Sequence, residues 1–257
     1  MTQTRIFEPD GRAVPFVDQG EGPALVLLPG RGLELAYLGI LANMLADEGF
    51  HVLRVGARRP ADAQDAVTMH DLAQDVVDVM DHVGLRHAWV GGHAFGGAVA
   101  RTVALDHIDR VDGVLLLGVE GEEPPADETA RAAQAGFLAA PEHELPEGVT
   151  HLIGDFEDAA LAWRFVARAR AAALEPQQTA ALAATPAAEW AALAATVPVL
   201  VIQGGDDRIA PSEGGERLRA SAPDRVSVVA VEGGGHLFPA THAGDTAGVI
   251  EDYLDWD

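Results

Sequence analysis

The sequence predicts an α/β protein with a doubly wound, mostly parallel sheet and a helical cap. Three observations carry that expectation. Short runs rich in Val, Leu and Ile alternate with helical stretches at the pitch of βαβ units. Glycines cluster just after several of these runs. From 120 to 195 the alternation stops, and an Ala-rich stretch without strand pattern takes its place. A chain of 257 residues can bury roughly three quarters of the surface its unfolded form exposes, enough for one large α/β domain.

In chain order, residues 13–18 and 24–28 read as strands, 35–48 as a helix and 51–56 as a strand. The next helix is expected to begin near His70, with Asp71 as its N-cap, because Leu72, Val76, Val77 and Met80 form an apolar stripe. Residues 87–90 read as a strand ending at Gly91 and Gly92, and 95–106 as a helix. Residues 113–119 have no polar side chain, as befits a strand buried on both faces. The alternation resumes with strands at 197–203 and 226–231 and helices at 212–222 and 246–254. The expected division is therefore a core of residues 1–119 and 196–257, with a helical cap insertion at 120–195. Two plain crossover helices are the simpler alternative for the insertion.

Composition narrows the chemistry. The formal charge of −23 would repel a phosphate backbone or an anionic bilayer, so no nucleic acid and no membrane is expected as partner. There is no cysteine, which removes disulfides and thiolate nucleophiles. All seventeen cationic residues are arginine, which removes lysine Schiff-base chemistry. Histidine spacing shows no metal signature, and His70 and His82 read as surface residues. No metal and no cofactor is expected. The first ten residues lack an apolar leader core and no window reaches 18 apolar residues, so a cytoplasmic location is expected.

The sharpest motif is Trp89-Val90-Gly91-Gly92-His93-Ala94-Phe95-Gly96-Gly97, placed between a strand and a helix. A residue on so tight a turn needs neighbours without bulk, and the helix start aims free N–H groups at the same spot. The second is Gln203-Gly204-Gly205-Asp206-Asp207-Arg208-Ile209-Ala210-Pro211, an acid just past a strand. The third is Gly233-Gly234-Gly235-His236, again past a strand. Acids and histidines at the carboxyl edge of a parallel sheet can meet across its top.

On these motifs the chain resembles the α/β-hydrolase superfamily over nearly its whole length. The resemblance places Ala94 at the nucleophile position of the G-x-S-x-G elbow, where a serine is usual. It makes Asp207 the acid of a G-x-x-D-x-x-x-P pattern and His236 the catalytic histidine. Leu27-Leu28-Pro29-Gly30-Arg31-Gly32 resembles the oxyanion loop, with Pro29 in place of a histidine, so the N–H groups of Arg31 and Phe95 would form the oxyanion hole. Gly56-Ala57-Arg58-Arg59-Pro60 departs from the superfamily's usual loop. Two origins fit Ala94: a natural alanine, or a serine replaced to trap substrate. The phrase Gly92-His93-Ala94-Phe95-Gly96 resembles a bacterial subgroup that carries alanine there, which favours the natural residue.

The resemblance implies an enzyme acting on a small apolar ester or lactone, with a small-molecule substrate as its partner; a homodimer is left open. A proton-transfer enzyme (a lyase, isomerase or cofactor-free oxygenase) and a ligand-binding pseudoenzyme are the other readings. The serines Ser212, Ser221 and Ser227 all lie far from the elbow in sequence. His93 is expected to support the loop, and Glu120 and Glu122 to be solvated. The cap aromatics Phe137, Phe156, Trp163 and Phe165 are the candidates for lining a substrate pocket.

Overall fold

The structure is a computed structural model, and it describes residues 3–59, 67–119, 127–154, 156 and 158–254. Glu120, Glu122 and Pro60 lie outside the described residues. The strands are β1 (Arg5–Phe7), β2 (Val14–Gln19), β3 (Ala24–Leu28), β4 (His51–Val55), β5 (Ala88–His93), β6 (Val111–Leu117), β7 (Val199–Gly204) and β8 (Val226–Val231). They form one sheet in the order β1-β2-β4-β3-β5-β6-β7-β8. β1, β2 and β4 pair antiparallel, while every pair from β4 to β8 is parallel.

Helices α1 (Gly39–Asp47), α2 (Met69–Val83), α3 (Phe95–Asp106), α8 (Glu213–Ser221) and α10 (Ala243–Leu254) surround the sheet, with the short α9 (Phe238–Thr241) before α10. Strand periodicity divides the interior in two. Leu25 and Leu27 of β3, Leu115 and Leu117 of β6, and Leu200 and Ile202 of β7 share one core with α1 and α10. Val26, Leu28, Val114, Leu116, Val199 and Val201 point the other way, into a core with α2 and α3. A run with no polar residue is what a strand covered on both faces requires.

Between β6 and β7 the described part of residues 120–195 contains no strand of the sheet. It forms α4 (Glu128–Gly136), α5 (Val149–Ile153), α6 (Ala159–Ala167) and α7 (Glu175–Ala184). Phe137, Leu152, Ile153, Trp163 and Val166 join the core on the α1 and α10 side. Among the described residues no helix is long and apolar enough to cross a membrane.

Two expectations need correction. The α2 N-cap is Thr68, and Asp71 is the third helical residue. The Thr68 side chain accepts from the Asp71 N–H, and the Asp71 carboxylate accepts from the Thr68 N–H, a reciprocal capping box that local reading placed three residues late. β5 also runs past Val90 to His93. Gly91 and Gly92 continue the ladder, and the close packing admits only glycine there: a Cβ at Gly91 would strike Leu115 and one at Gly92 would strike the backbone of Gly96 and Leu28.

Candidate active site

The elbow follows from that crowding. β5 delivers His93, the chain turns at Ala94, and α3 begins at Phe95. Ala94 has φ 50° and ψ −108°, a conformation that costs an L-residue of order 1–3 kcal/mol and persists only where the surroundings impose it. The imposition is visible: the Ala94 N–H donates to the Leu117 carbonyl at 2.9 Å, and a Cβ on Gly96 would strike the Leu28 and Pro29 carbonyls. Ala94 lies at the start of α3, where the first N–H groups of a helix have no intrahelical acceptor.

Asp207 and His236 meet just past the ends of β7 and β8. His236 Nδ1–H donates to Asp207 Oδ2 at 2.9 Å, and both residues are buried. Asp207 Oδ1 accepts from the N–H groups of Ile209 and Ala210, each at 2.8 Å. Gln203, whose amide bonds the Val119 N–H and the Ala210 and Pro211 carbonyls, fastens the acid loop to β6. The His236 and Leu237 N–H groups donate to the His151 and Leu152 carbonyls of α5, so the inserted helices also carry the histidine loop.

His93 joins these parts. Its Nε2–H donates to the His236 carbonyl at 2.8 Å, and its ring stacks obliquely on His236 with centroids 4.7 Å apart. On the other side Nδ1 faces Gly30, where a Cβ would sit 2.7 Å away. Burial first, then the neighbouring His236, pushes His93 well below the usual histidine value, so the ring is neutral. Tyr37 packs against His93 at 5.3 Å, and burial, reinforced by the Asp207 charge, raises its phenol well above the ordinary value. Among the described residues, neither the Tyr37 hydroxyl nor His93 Nδ1, both buried, has a hydrogen-bond partner.

Gly30, Arg31, His93, Ala94, Phe137 and His236 share the wall of a cavity of about 600 Å³, large enough for a small organic molecule. Arg31 is there; the Phe95 side chain turns away into the core under α3, leaving only its backbone at the elbow. Of the cap aromatics, Phe137 alone is on this wall. Trp163 is fully buried, with its indole N–H on the Pro141 carbonyl and its ring against Phe137. Phe156 packs edge-on against His242, and Phe165 is exposed. These three therefore do not line the cavity: α6 turns Trp163 to the core and Phe165 to the outside, a choice of face that an Ala-rich sequence does not mark.

Among the described residues there is no group of three or more side chains able to hold a metal ion. Sequence reading also missed Gln178 of α7, which reaches the loop after β3 and accepts from the Gly32 N–H. Nothing local in Gln178 marks it, since its partner is 146 residues away.

An elbow closed by glycines, an acid after β7 and a histidine after β8 are joined by a sequence-level finding: the profile described as "alpha/beta hydrolase fold" matches residues 23–243. The chain belongs to the alpha/beta hydrolase fold family. Among similar members, epoxide hydrolase A of Mycobacterium tuberculosis is 37% identical over 124 residues, 45% of this chain and 38% of that protein. Zearalenone hydrolase of Bionectria ochroleuca is 27% identical over 117 residues, 43% of this chain and 44% of that protein. The matches thus span less than half the length of these two relatives. In three dimensions, a thermophilic esterase from Thermogutta terrifontis superposes with a TM-score of 0.75 at 22% identity, covering 98% of both chains. At that identity the likeness speaks for the fold.

Proposed function

We propose that this alpha/beta hydrolase cleaves a small, largely apolar ester or lactone with water as the nucleophile. The observation that carries the reading is the buried 2.9 Å bond from His236 Nδ1–H to Asp207, with His236 and Ala94 on one cavity wall. Donation through Nδ1 places the basic lone pair on Nε2. Asp207 holds that tautomer and stabilises the imidazolium that forms. Ala94, read as a natural alanine, has no hydroxyl, so an acyl-enzyme on the elbow is closed and the vacated volume suits a water.

In the reaction, the water oxygen attacks the carbonyl carbon while His236 Nε2 takes its proton. The carbonyl oxygen becomes an oxyanion held by the N–H groups of Arg31 and Phe95. The C–O bond to the leaving group then breaks, and His236 returns the proton to the departing oxygen. Phe137 supplies apolar wall to the substrate.

The test is His236→Gln, assayed on a panel of esters and lactones. A general base is worth roughly 10²–10⁴ in rate, so turnover should fall by that factor while the affinity of a non-hydrolysable amide analogue stays within threefold. Turnover that survives the change places the chemistry elsewhere. Tight ligand binding with no turnover at all, indifferent to His236, makes the chain a binding protein.

A further inference from the structure

The loop that would carry one oxyanion donor is not held by the core alone. Gly30, Arg31, Gly32 and Leu33 form a turn closed by a 3.2 Å bond from the Leu33 N–H to the Gly30 carbonyl. Gly32 stands at its third position with φ +67°, while Arg31 keeps a negative φ, the signature of a type II turn. The closing bond leaves Gly32, at the third position, with its N–H (in the central Arg31–Gly32 peptide) and its carbonyl (in the next peptide) to satisfy. Both go to the inserted segment between β6 and β7. The Gly32 carbonyl accepts from the Ala171 N–H at 2.7 Å, and the Gly32 N–H donates to Gln178 Oε1 at 2.7 Å. One residue further, the Glu34 N–H donates to the Ala169 carbonyl at 2.8 Å, and Leu33 pairs with Arg170 in an antiparallel bridge.

Gln178 is the side-chain member of this clamp and is 2% exposed. It also borders a small cavity whose other walls include Pro29, Phe95 and Gly96, directly behind the elbow. We infer that Gln178 is a positioning residue for the reaction: its carboxamide fixes the central peptide of the 30–33 turn, and through it the Arg31 N–H beside Ala94.

This rests on the hydrolytic reading above, in which that N–H receives the oxyanion. The physical link is short, because the Arg31 N–H and the pinned peptide flank one Cα. Without an acceptor, the buried Gly32 N–H is left unsatisfied, and the turn relieves it by rotating the peptide. A displacement of about 1 Å at a catalytic group costs on the order of 10²-fold in rate. Loss of Gln178 therefore shows itself in the charged transition state rather than in substrate binding.

The experiment compares native protein, Gln178→Met and Gln178→Glu. Met keeps the length and removes the acceptor; Glu keeps the acceptor. The probes are p-nitrophenyl acetate for turnover and the p-nitrophenyl methylphosphonate monoanion, a mimic of the tetrahedral adduct, for binding. Q178M is expected to lower kcat at least about tenfold with KM within threefold, and to weaken phosphonate binding by the same factor. Q178E should bring both back to within threefold of native. If Met does not give folded protein, Gln178→Asn, too short to reach Gly32, replaces it. Equal phosphonate affinity in all three proteins, a rise in KM alone, equal losses in Q178M and Q178E, or no phosphonate binding by native protein each overturns the assignment. Phosphonate binding that weakens in Q178M and recovers in Q178E, with no ester turned over by native protein, upholds the positioning role and sinks the ester reading instead.

Discussion

Asp207→Asn separates the tautomer argument from simple charge. Asp207 Oδ1 accepts from two backbone N–H groups at 2.8 Å, and Oδ2 accepts from His236 Nδ1–H at 2.9 Å. The asparagine amide must choose which end faces the backbone. With its NH₂ toward Ile209 and Ala210, donors oppose donors and two buried N–H groups lose their acceptor, at roughly 1–3 kcal/mol each. With its oxygen toward them, all three contacts survive, provided His236 now accepts at Nδ1. The second arrangement wins, and it moves the histidine proton to Nε2. The ring then offers no lone pair to a water in the cavity. Loss of a general base predicts a fall in kcat/KM of roughly 10²–10⁴, about 2.7–5.5 kcal/mol of transition-state stabilisation. Stability should change far less, by about 1 kcal/mol, as a charge-assisted bond becomes a neutral one. Ester turnover measures the first, thermal unfolding the second, and nitrogen chemical shifts of His236 report the tautomer. Activity within threefold of native, or a His236 proton still on Nδ1, refutes the reasoning.

Two further outcomes follow from the same geometry. Ala94→Ser puts a hydroxyl on the strained turn beside His236, so an activated aryl ester should give a burst of nitrophenol and an acyl adduct in the intact mass; a folded variant with no adduct means the elbow is not arranged for serine chemistry. His70, on α2, lies between Asp106 at 2.7 Å and Glu189 at 2.9 Å, and those bonds, Asp106 first, raise its pKa. A raised folded value means that the stabilisation is full below the unfolded value near ~6.5 and is lost as pH rises through the folded value. Thermal midpoints measured against pH should show that loss, small for a partly exposed pair, and His70→Gln should remove it.

The legible part of this protein was the part encoded locally. Alternating strand and helix patterns gave the sheet, because burial on both faces leaves a continuous apolar run such as Val114–Leu117. Gly91, Gly92 and Gly96 marked the elbow because close backbone approach excludes a Cβ there. Asp207 and His236 were marked by their places after β7 and β8, and the structure brings them into one hydrogen bond. The α2 cap was misplaced by three residues because Thr68 and Asp71 are both acceptable caps, and only their reciprocal bonds distinguish them.

The chain's own letters therefore determined the strand and helix pattern, the alanine on its tight turn and the places of the acid and the histidine just past their strands, since each depends on neighbours a few residues away; the Asp207–His236 bond itself joins positions 29 residues apart. Tertiary structure alone decided that Trp163 packs in the core while Phe137 meets the cavity, that His93 ties the elbow to the His236 carbonyl, and that Gln178 holds the 30–33 turn. These are contacts between segments 22 to 146 residues apart, and in an Ala-rich helix no periodicity says which polar side chain will find a buried N–H.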